Sequence, residues 1–512
     1  MIELAVKVKL PFLWGKAVFK KDSWTNINLI VGPNGSGKTL LAESIAKQFG
    51  EFGYSVKFLR AERDGGTFAA EAVSILRTNE AVRTKVQAVL SSMFGKSIVF
   101  RDGGADLVPV VVNRAWNVEY NLQEVECHGL KEIITLLVAL YANTGNTCIV
   151  FDEPELHLHP QFQQFFADEL RRVSKRHAKR MYFLITHSPF FIDLRFPEDL
   201  LGVVVCHTNR EPTHIDSLEK YDEDLFRRFL PRFNTYHKQF FFSDNQIFVE
   251  GYTDQQLFTN LLPYVNTNRG IAGTGIIDVG GKDELGVFCK VCSLLGTNSR
   301  IITDLDSLFS GKLRDVFCAD SRVSLWLEKQ YEKQLPFFKT VFTSRELEKP
   351  ITLEKLIVRL ERYLAAIGRE LCREDYVPPY SLSVLVEKLI ALNQKHGNAE
   401  NVDTFKTVVL QGVMEHGEKF GEVLAPQLAA TIPRIQNLFQ MVLAAAASAS
   451  VYVLPRGCIE HYYTQSVVQY MPVSAKDKLF HLELEHLLSS TAEEIQHDYG
   501  ELISILESSC AL

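Results

Sequence analysis

A chain of 512 residues is too long for one hydrophobic core and should divide into two or three domains. Its net charge of −7 is uneven: residues 1–240 hold 30 basic and 28 acidic side chains, residues 241–512 hold 25 and 34, so bulk charge excludes indiscriminate attraction of a polyanion to the second half. Nine cysteines, an acid at Glu3 and no apolar run near the ~20 residues that span a bilayer exclude a disulfide scaffold, a signal peptide and a membrane partner, leaving a soluble cytoplasmic protein as the expectation.

Asn28 to Val31 reads as an apolar strand and Leu40 to Phe49 as an amphipathic helix, with Gly32-Pro33-Asn34-Gly35-Ser36-Gly37-Lys38-Thr39 between them. Strand, glycine loop and helix in that order are the setting a phosphate-binding loop requires. Backbone N–H groups from Asn34, Gly35, Ser36 and Gly37 would close around phosphates, Lys38 would reach the β and γ groups, and Thr39 would offer its hydroxyl to Mg²⁺. Arg60-Ala61-Glu62-Arg63-Asp64 is a candidate for further polar contacts, and Ile98 to Arg101, Leu107 to Val112 and Trp116 to Leu122 suggest three antiparallel strands.

Thr147 to Phe151 reads as a buried strand running into Asp152-Glu153. Asp152 would hold Mg²⁺ through water, and Glu153 would polarise the attacking water as general base. Glu155-Leu156-His157-Leu158-His159-Pro160 precedes a helix from about Gln161, whose basic stretch Arg171 to Arg180 reads as a solvated helix end, with a DNA-facing patch as the alternative. A further apolar strand, Met181 to Ile185, ends in Thr186-His187-Ser188-Pro189.

In succession, GPNGSGKT, DEPELHLHP and THSP resemble the SMC-like and RecF-like branch of ABC ATPases. That resemblance implies ATP as ligand, His187 as the sensor of the γ-phosphate, and head-to-head homo-oligomers, dimeric or larger, that sandwich two nucleotides. It also implies a signature loop that reaches across the dimer, to which Glu126-Cys127-His128-Gly129-Leu130 corresponds. No serine precedes the glycine, so either His128 donates in its place or ATP turnover is slow.

Gln246 to Val249 forms an apolar strand ending in Glu250-Gly251, with Asp254 opening a helix, and Arg300 to Thr303 forms another ending in Asp304-Leu305-Asp306. Residues two apart at a strand tip point the same way, so Asp304 and Asp306 can converge on one cation, and hard oxygen ligands select Mg²⁺ or Mn²⁺. Ile276 to Val279, followed by Gly280-Gly281-Lys282, supplies a middle strand and turn. Cys289 and Cys292 share one helix face and lack a second ligand pair, which favours a structural role over zinc or redox chemistry.

This β-α-β-α-β order resembles the Toprim fold. An ABC-type ATPase followed by Phe-Phe-Ser-Asp, an apolar strand, Glu-Gly and Asp-x-Asp resembles the overcoming-lysogenisation-defect (OLD) nuclease family, to which Gabija-type and retron-associated nucleases belong, over about residues 1–310. The resemblance implies two-metal DNA cleavage with Glu250, Asp254, Asp304 and Asp306 around the metals. It also implies a late glutamate after a glycine turn, for which Glu460 in Arg456-Gly457-Cys458-Ile459-Glu460 is the candidate; Lys476 and Lys478 compete for the family's catalytic lysine.

The expected architecture is α/β: an ABC-type ATPase domain over 1–240, a Toprim domain begun by 241–311, a helical insertion over 312–445, and Toprim completion with C-terminal helices over 446–512. The expected function is an ATP-regulated, Mg²⁺-dependent DNA endonuclease or nickase in anti-phage defence, acting with a partner protein encoded nearby. The alternative is an SMC-like DNA-binding regulatory or scaffold ATPase with an inactive Toprim domain. A topoisomerase would need a nucleophilic tyrosine on a DNA-gripping domain and a primase commonly a zinc module, and neither is visible; an ABC transporter subunit fits least.

Overall fold

The computed structural model describes residues 2–61, 67–102, 107–143, 145–208, 210–243, 245–265, 274–394 and 399–510, so Glu62, Arg63 and Asp64 of the expected polar loop lie outside the described residues. It divides into two compact units, Met1–Asp244 with Leu294–Thr297, and Asn245–Ser293 with Asn298–Leu512. No helix among the described residues is long and apolar enough to cross a membrane.

In the first unit an antiparallel pair, β1 (Ile2–Val8) and β2 (Phe19–Trp24), precedes β3 (Ile27–Val31), α1 (Lys38–Glu51) and β4 (Ser55–Leu59). Helices α2 (Thr67–Thr78) and α3 (Glu80–Phe94) lead to an antiparallel sheet of β5 (Lys96–Asp102), β6 (Leu107–Asn113) and β7 (Val118–Asn121). Then come α4 (His128–Ala142), β8 (Thr147–Asp152), α5 (Pro160–Arg176), β9 (Met181–Ile185), β10 (Val203–Val205), β11 (Thr213–His214) and α6 (Lys220–Phe229).

The main sheet runs β11-β10-β3-β9-β8-β4, parallel except for β11. Every residue of β8 and β9 is buried, as expected of parallel strands covered on both faces. Trp24, Phe49 and Phe183 meet edge to face beneath α1, fixing the helix against the sheet. The loops that follow β3, β8 and β9 therefore emerge at one carboxyl edge, where open α/β sheets bind ligands.

The second unit begins with β12 (Asn245–Val249), α7 (Tyr252–Leu261), β13 (Thr274–Asp278), α8 (Lys282–Leu295) and β14 (Ser299–Thr303). Helices α9 (Lys312–Cys318), α10 (Ser321–Lys333), α11 (Leu335–Val341), α12 (Ser344–Leu347), α13 (Leu353–Leu371), α14 (Ser383–Gln394), α15 (Ala399–Val423) and α16 (Ile432–Ser448) follow. The chain returns as β15 (Val451–Val453), then α17 (Lys476–Ser489), α18 (Ala492–Asp498) and α19 (Gly500–Cys510). The sheet order is β13-β12-β14-β15, all parallel, with Ile301 opposite Val451. The apolar sides of α7, α17 and α19 share a core with β12 through Leu257, Phe258, Phe480, Tyr499 and Leu502.

Candidate active sites

The phosphate loop owes its shape to glycine. Gly32, Gly35 and Gly37 all have positive φ, and a Cβ on Gly32 would stand 2.3 Å from the Cys206 carbonyl oxygen. The Lys38 side chain is buried and donates to the carbonyls of Gly32 (3.0 Å) and Pro33 (2.7 Å), across the space the loop encloses. Burial lowers its pKa, and the charges of Cys206, Glu153, Asp152 and Glu155 only partly offset this. A phosphate chain would supply the anionic partner that this ammonium lacks. Thr39 Oγ1 lies 3.3 Å from each Asp152 carboxylate oxygen, so the hydroxyl and acid needed for one cation stand side by side.

Glu153 adopts φ +46, a sparsely populated conformation for a non-glycine residue, and its N–H donates to Ile185 O at 2.9 Å. This bond ties the tip of β8 to the end of β9. Glu155, unassigned by the sequence, accepts from Thr186 Oγ1 (2.9 Å) and His187 N (2.6 Å) and so positions the His187 backbone. Burial, aided by Lys38, lowers the His187 pKa to about 4, leaving a neutral imidazole at pH 7. His128 opens α4, exposed, its ring centroid 5.7 Å from that of His157.

A histidine harder to protonate when folded contributes stability above its ordinary pKa of about 6.5, and that contribution is lost as pH falls toward 4. Thermal midpoints between pH 7 and 4.5 should therefore fall less steeply for His187→Gln than for wild type. Equal slopes would contradict the buried neutral imidazole.

At the carboxyl edge of the second sheet, Glu250 follows β12 and Asp304 follows β14. Glu250 Oε1 accepts from Thr303 Oγ1 (2.6 Å) and Asp304 N (2.9 Å), which fixes the two strand tips together. Burial raises the Glu250 pKa and the charge of Asp306 adds to it. Asp254, in the first turn of α7, is pushed up to about 7 by burial and then by Glu250 and Glu460. Asp304 is driven well above the usual range by burial, Glu250 and Asp254. Five acids from four segments thus share one electrostatic neighbourhood.

Two lysines answer them. Lys282 Nζ lies 2.9 Å from Asp306 Oδ2, and Lys476 Nζ lies 3.0 Å from Glu460 Oε1. Burial opposes the Lys476 charge, but Asp304 and Glu460 outweigh it and hold the ammonium protonated. Lys476, rather than Lys478, is therefore the lysine that faces the acids. Sequence motifs missed Lys282, Thr303 and Ser307; only the glycine turn before Lys282 signals its approach.

Among the described residues no three acids, histidines or cysteines already stand in metal-ligand geometry. Unneutralised carboxylates repel, and the lysines supply part of the missing charge. The donor set nevertheless fits a hard cation: Asp306 Oδ1 and Glu460 Oε2 are buried without a hydrogen-bond partner, while Glu460 Oε1 meets the Lys476 ammonium. A divalent cation here would supply Lewis acidity at a phosphate oxygen and lower the pKa of water.

The chain matches two described families: the "Overcoming lysogenization defect protein-like, TOPRIM domain" over residues 241–306 and the "AAA ATPase domain" over residues 124–192. It is 26% identical over 162 residues to the OLD nuclease of Thermus scotoductus, covering 31% of this chain and 30% of that protein. Over that stretch the chain is similar to an OLD nuclease. It is also 24% identical over 197 residues to the Old nuclease of Escherichia phage P2, covering 35% of this chain and 33% of that protein, so it spans about a third of the length of these OLD relatives. The SMC head domain of Thermotoga maritima aligns with 40% of this chain and 95% of its own, at 14% identity and a TM-score of 0.26. An ATPase domain joined to an OLD-like Toprim domain implies nucleotide and divalent metal use.

Proposed function

We propose that the chain is an ATP-regulated, Mg²⁺-dependent DNA endonuclease or nickase, acting in the cytoplasm in anti-phage defence as a homo-oligomer joined through its ATPase heads, with a partner protein encoded nearby. The observation that carries the reading is the acid cluster Glu250, Asp254, Asp304, Asp306 and Glu460 around the carboxyl edge of a parallel sheet. In it, Glu250, Asp254, Asp304, Asp306 and Glu460 hold the metal, and the Lys476 ammonium neutralises charge that develops on the phosphate. Asn34, Gly35, Ser36, Gly37 and Lys38 hold ATP, Thr39 and Asp152 hold its Mg²⁺, Glu153 orients water, and His187 and His128 contact the γ-phosphate from within and across the dimer.

Supercoiled plasmid should be cut by wild type in Mg²⁺ or Mn²⁺ and remain intact in EDTA. The competing reading is a DNA-binding ATPase with a silent Toprim domain, favoured by the lysines that already pair Asp306 and Glu460 and by the lack of a ready-made ligand trio among the described residues. ATP-dependent DNA binding with no cutting in either metal would establish that reading instead.

A further inference from the structure

A cavity of about 400 Å³ opens between the end of α11, α12 and one face of α13. Its volume falls in the ~300–1,000 Å³ range of ligand pockets. Lys355, Val358, Arg359 and Arg362 line it from α13, at the three- and four-residue spacing that places side chains on one helix face. Phe342, Arg345 and Lys349 face them. Five cations therefore surround one hollow, in a half of the chain that carries nine more acids than bases.

The acids that reach this hollow are already engaged. Glu346 takes Arg359 at 2.5 Å and accepts Thr343 N and Oγ1 at 2.8 and 2.9 Å. Glu354 pairs with Arg314 at 2.9 Å. Arg359 also lies over the Phe342 ring, 5.0 Å from its centroid, which locks that guanidinium into the wall. Lys355 Nζ donates only to neutral carbonyls, Pro350 O at 2.7 Å and Lys349 O at 3.4 Å. Arg345, Lys349 and Arg362 have no ion-pair partner among the described residues. Four cations thus border the cavity without an ion pair among the described residues, and of these Arg362 alone acts through its charge on Glu346. Like charges held together without anions raise the free energy of the empty protein, and a ligand with several anionic oxygens would relieve it.

We infer that this cavity grips the phosphodiester backbone of DNA, a second nucleic-acid contact on the helical segment between β14 and β15. The inference rests on the reading of DNA as substrate. It answers the requirement set by the acidic second half, where a polyanion needs local basic patches. Arginine and lysine without base-reading partners position a strand and do not specify its sequence, so the contact should be indifferent to sequence.

The test uses the full chain in EDTA, where no cutting occurs, with fluorescence anisotropy of a labelled DNA duplex across a salt series. Arg345→Gln/Lys349→Gln/Arg362→Gln should raise Kd by tenfold or more and reduce the slope of log K against log salt by about 2 to 3, at ~0.9 per lost phosphate contact. ATP turnover should be unchanged, and Arg345→Lys/Arg362→Lys should retain most of the binding, which separates lost charge from lost fold. Unchanged Kd and slope in the triple variant would overturn the inference. Binding of AMP or inorganic pyrophosphate that the triple variant loses, with duplex binding intact, would assign the cavity to a free phosphorylated ligand and also overturn it. Wild type that binds duplex in EDTA yet never cuts it with Mg²⁺ would defeat the nuclease reading and leave this contact standing.

Discussion

Asp304→Asn should abolish metal-dependent DNA cleavage and, in EDTA at pH 8, raise the thermal midpoint of the protein. Both effects follow from one cause. Asp304 is buried beside Glu250 and Asp254, and burial first, then their charges, hold its pKa up. A carboxyl whose pKa is higher folded than unfolded penalises folding above its folded value, and the penalty disappears as pH falls through that value toward the ordinary carboxylate range. For Asp254 this window runs down from about 7.

Metal-free wild type should therefore gain stability from pH 8 to 5 with respect to this cluster. Asp304→Asn should flatten that gain by removing one repelling charge, and relief of even ~1 kcal/mol moves the midpoint by about 2–4 °C in a domain of roughly this size. Mn²⁺ should raise the midpoint of wild type and not of the variant. A variant less stable than wild type in EDTA, or equally stabilised by Mn²⁺, would contradict the shared acidic neighbourhood.

Lys38→Ala should lower ATP turnover by on the order of 10²-fold or more, the cost of removing a donor aimed at developing charge. Lys38 Nζ now rests on two loop carbonyls, 3.0 and 2.7 Å away, and nucleotide would have to draw it off them. The variant should also bind ATP more weakly, because it loses the buried ammonium that faces the phosphate loop. Turnover within twofold of wild type would remove Lys38 from the phosphate site.

The α/β architecture is legible in the sequence wherever its determinants are local. The glycine loop between β3 and α1, the acids at the ends of β8 and β14, and the turn after β9 are all short patterns in which strand burial and turn chemistry agree. The three antiparallel strands are legible too, with the last of them trimmed at both ends. Trp116 and Asn117 lie in the turn, Asn117 at φ +50, and Leu122 opens a short helix because the Asn121 side chain accepts Gln123 N at 2.8 Å. A local side-chain bond to the backbone there outcompetes the ladder.

What is not legible depends on distant packing. Lys476 and Lys478 are equivalent as text, and only the turn that starts α17 brings Lys476 to Glu460. Lys282 reads as the first residue of a helix, and its bond to Asp306 exists because β13 and β14 flank β12. Glu155 reads as part of an acidic loop, although it holds His187 N across to the next strand. The cavity on α12 and α13 has no motif, since its cations come from two helices and the loop between them and its significance lies in where the nearby acids are spent.

In the proposed function one chain joins an ATPase to a metal-dependent DNA-cutting centre. The most direct measurement is cleavage of supercoiled plasmid in Mg²⁺ by wild type and Glu250→Ala, with ATP turnover recorded for both. Wild type should cut, the variant should lose at least about 10²-fold, and ATP turnover should match. Equal cutting by the two proteins would contradict that function.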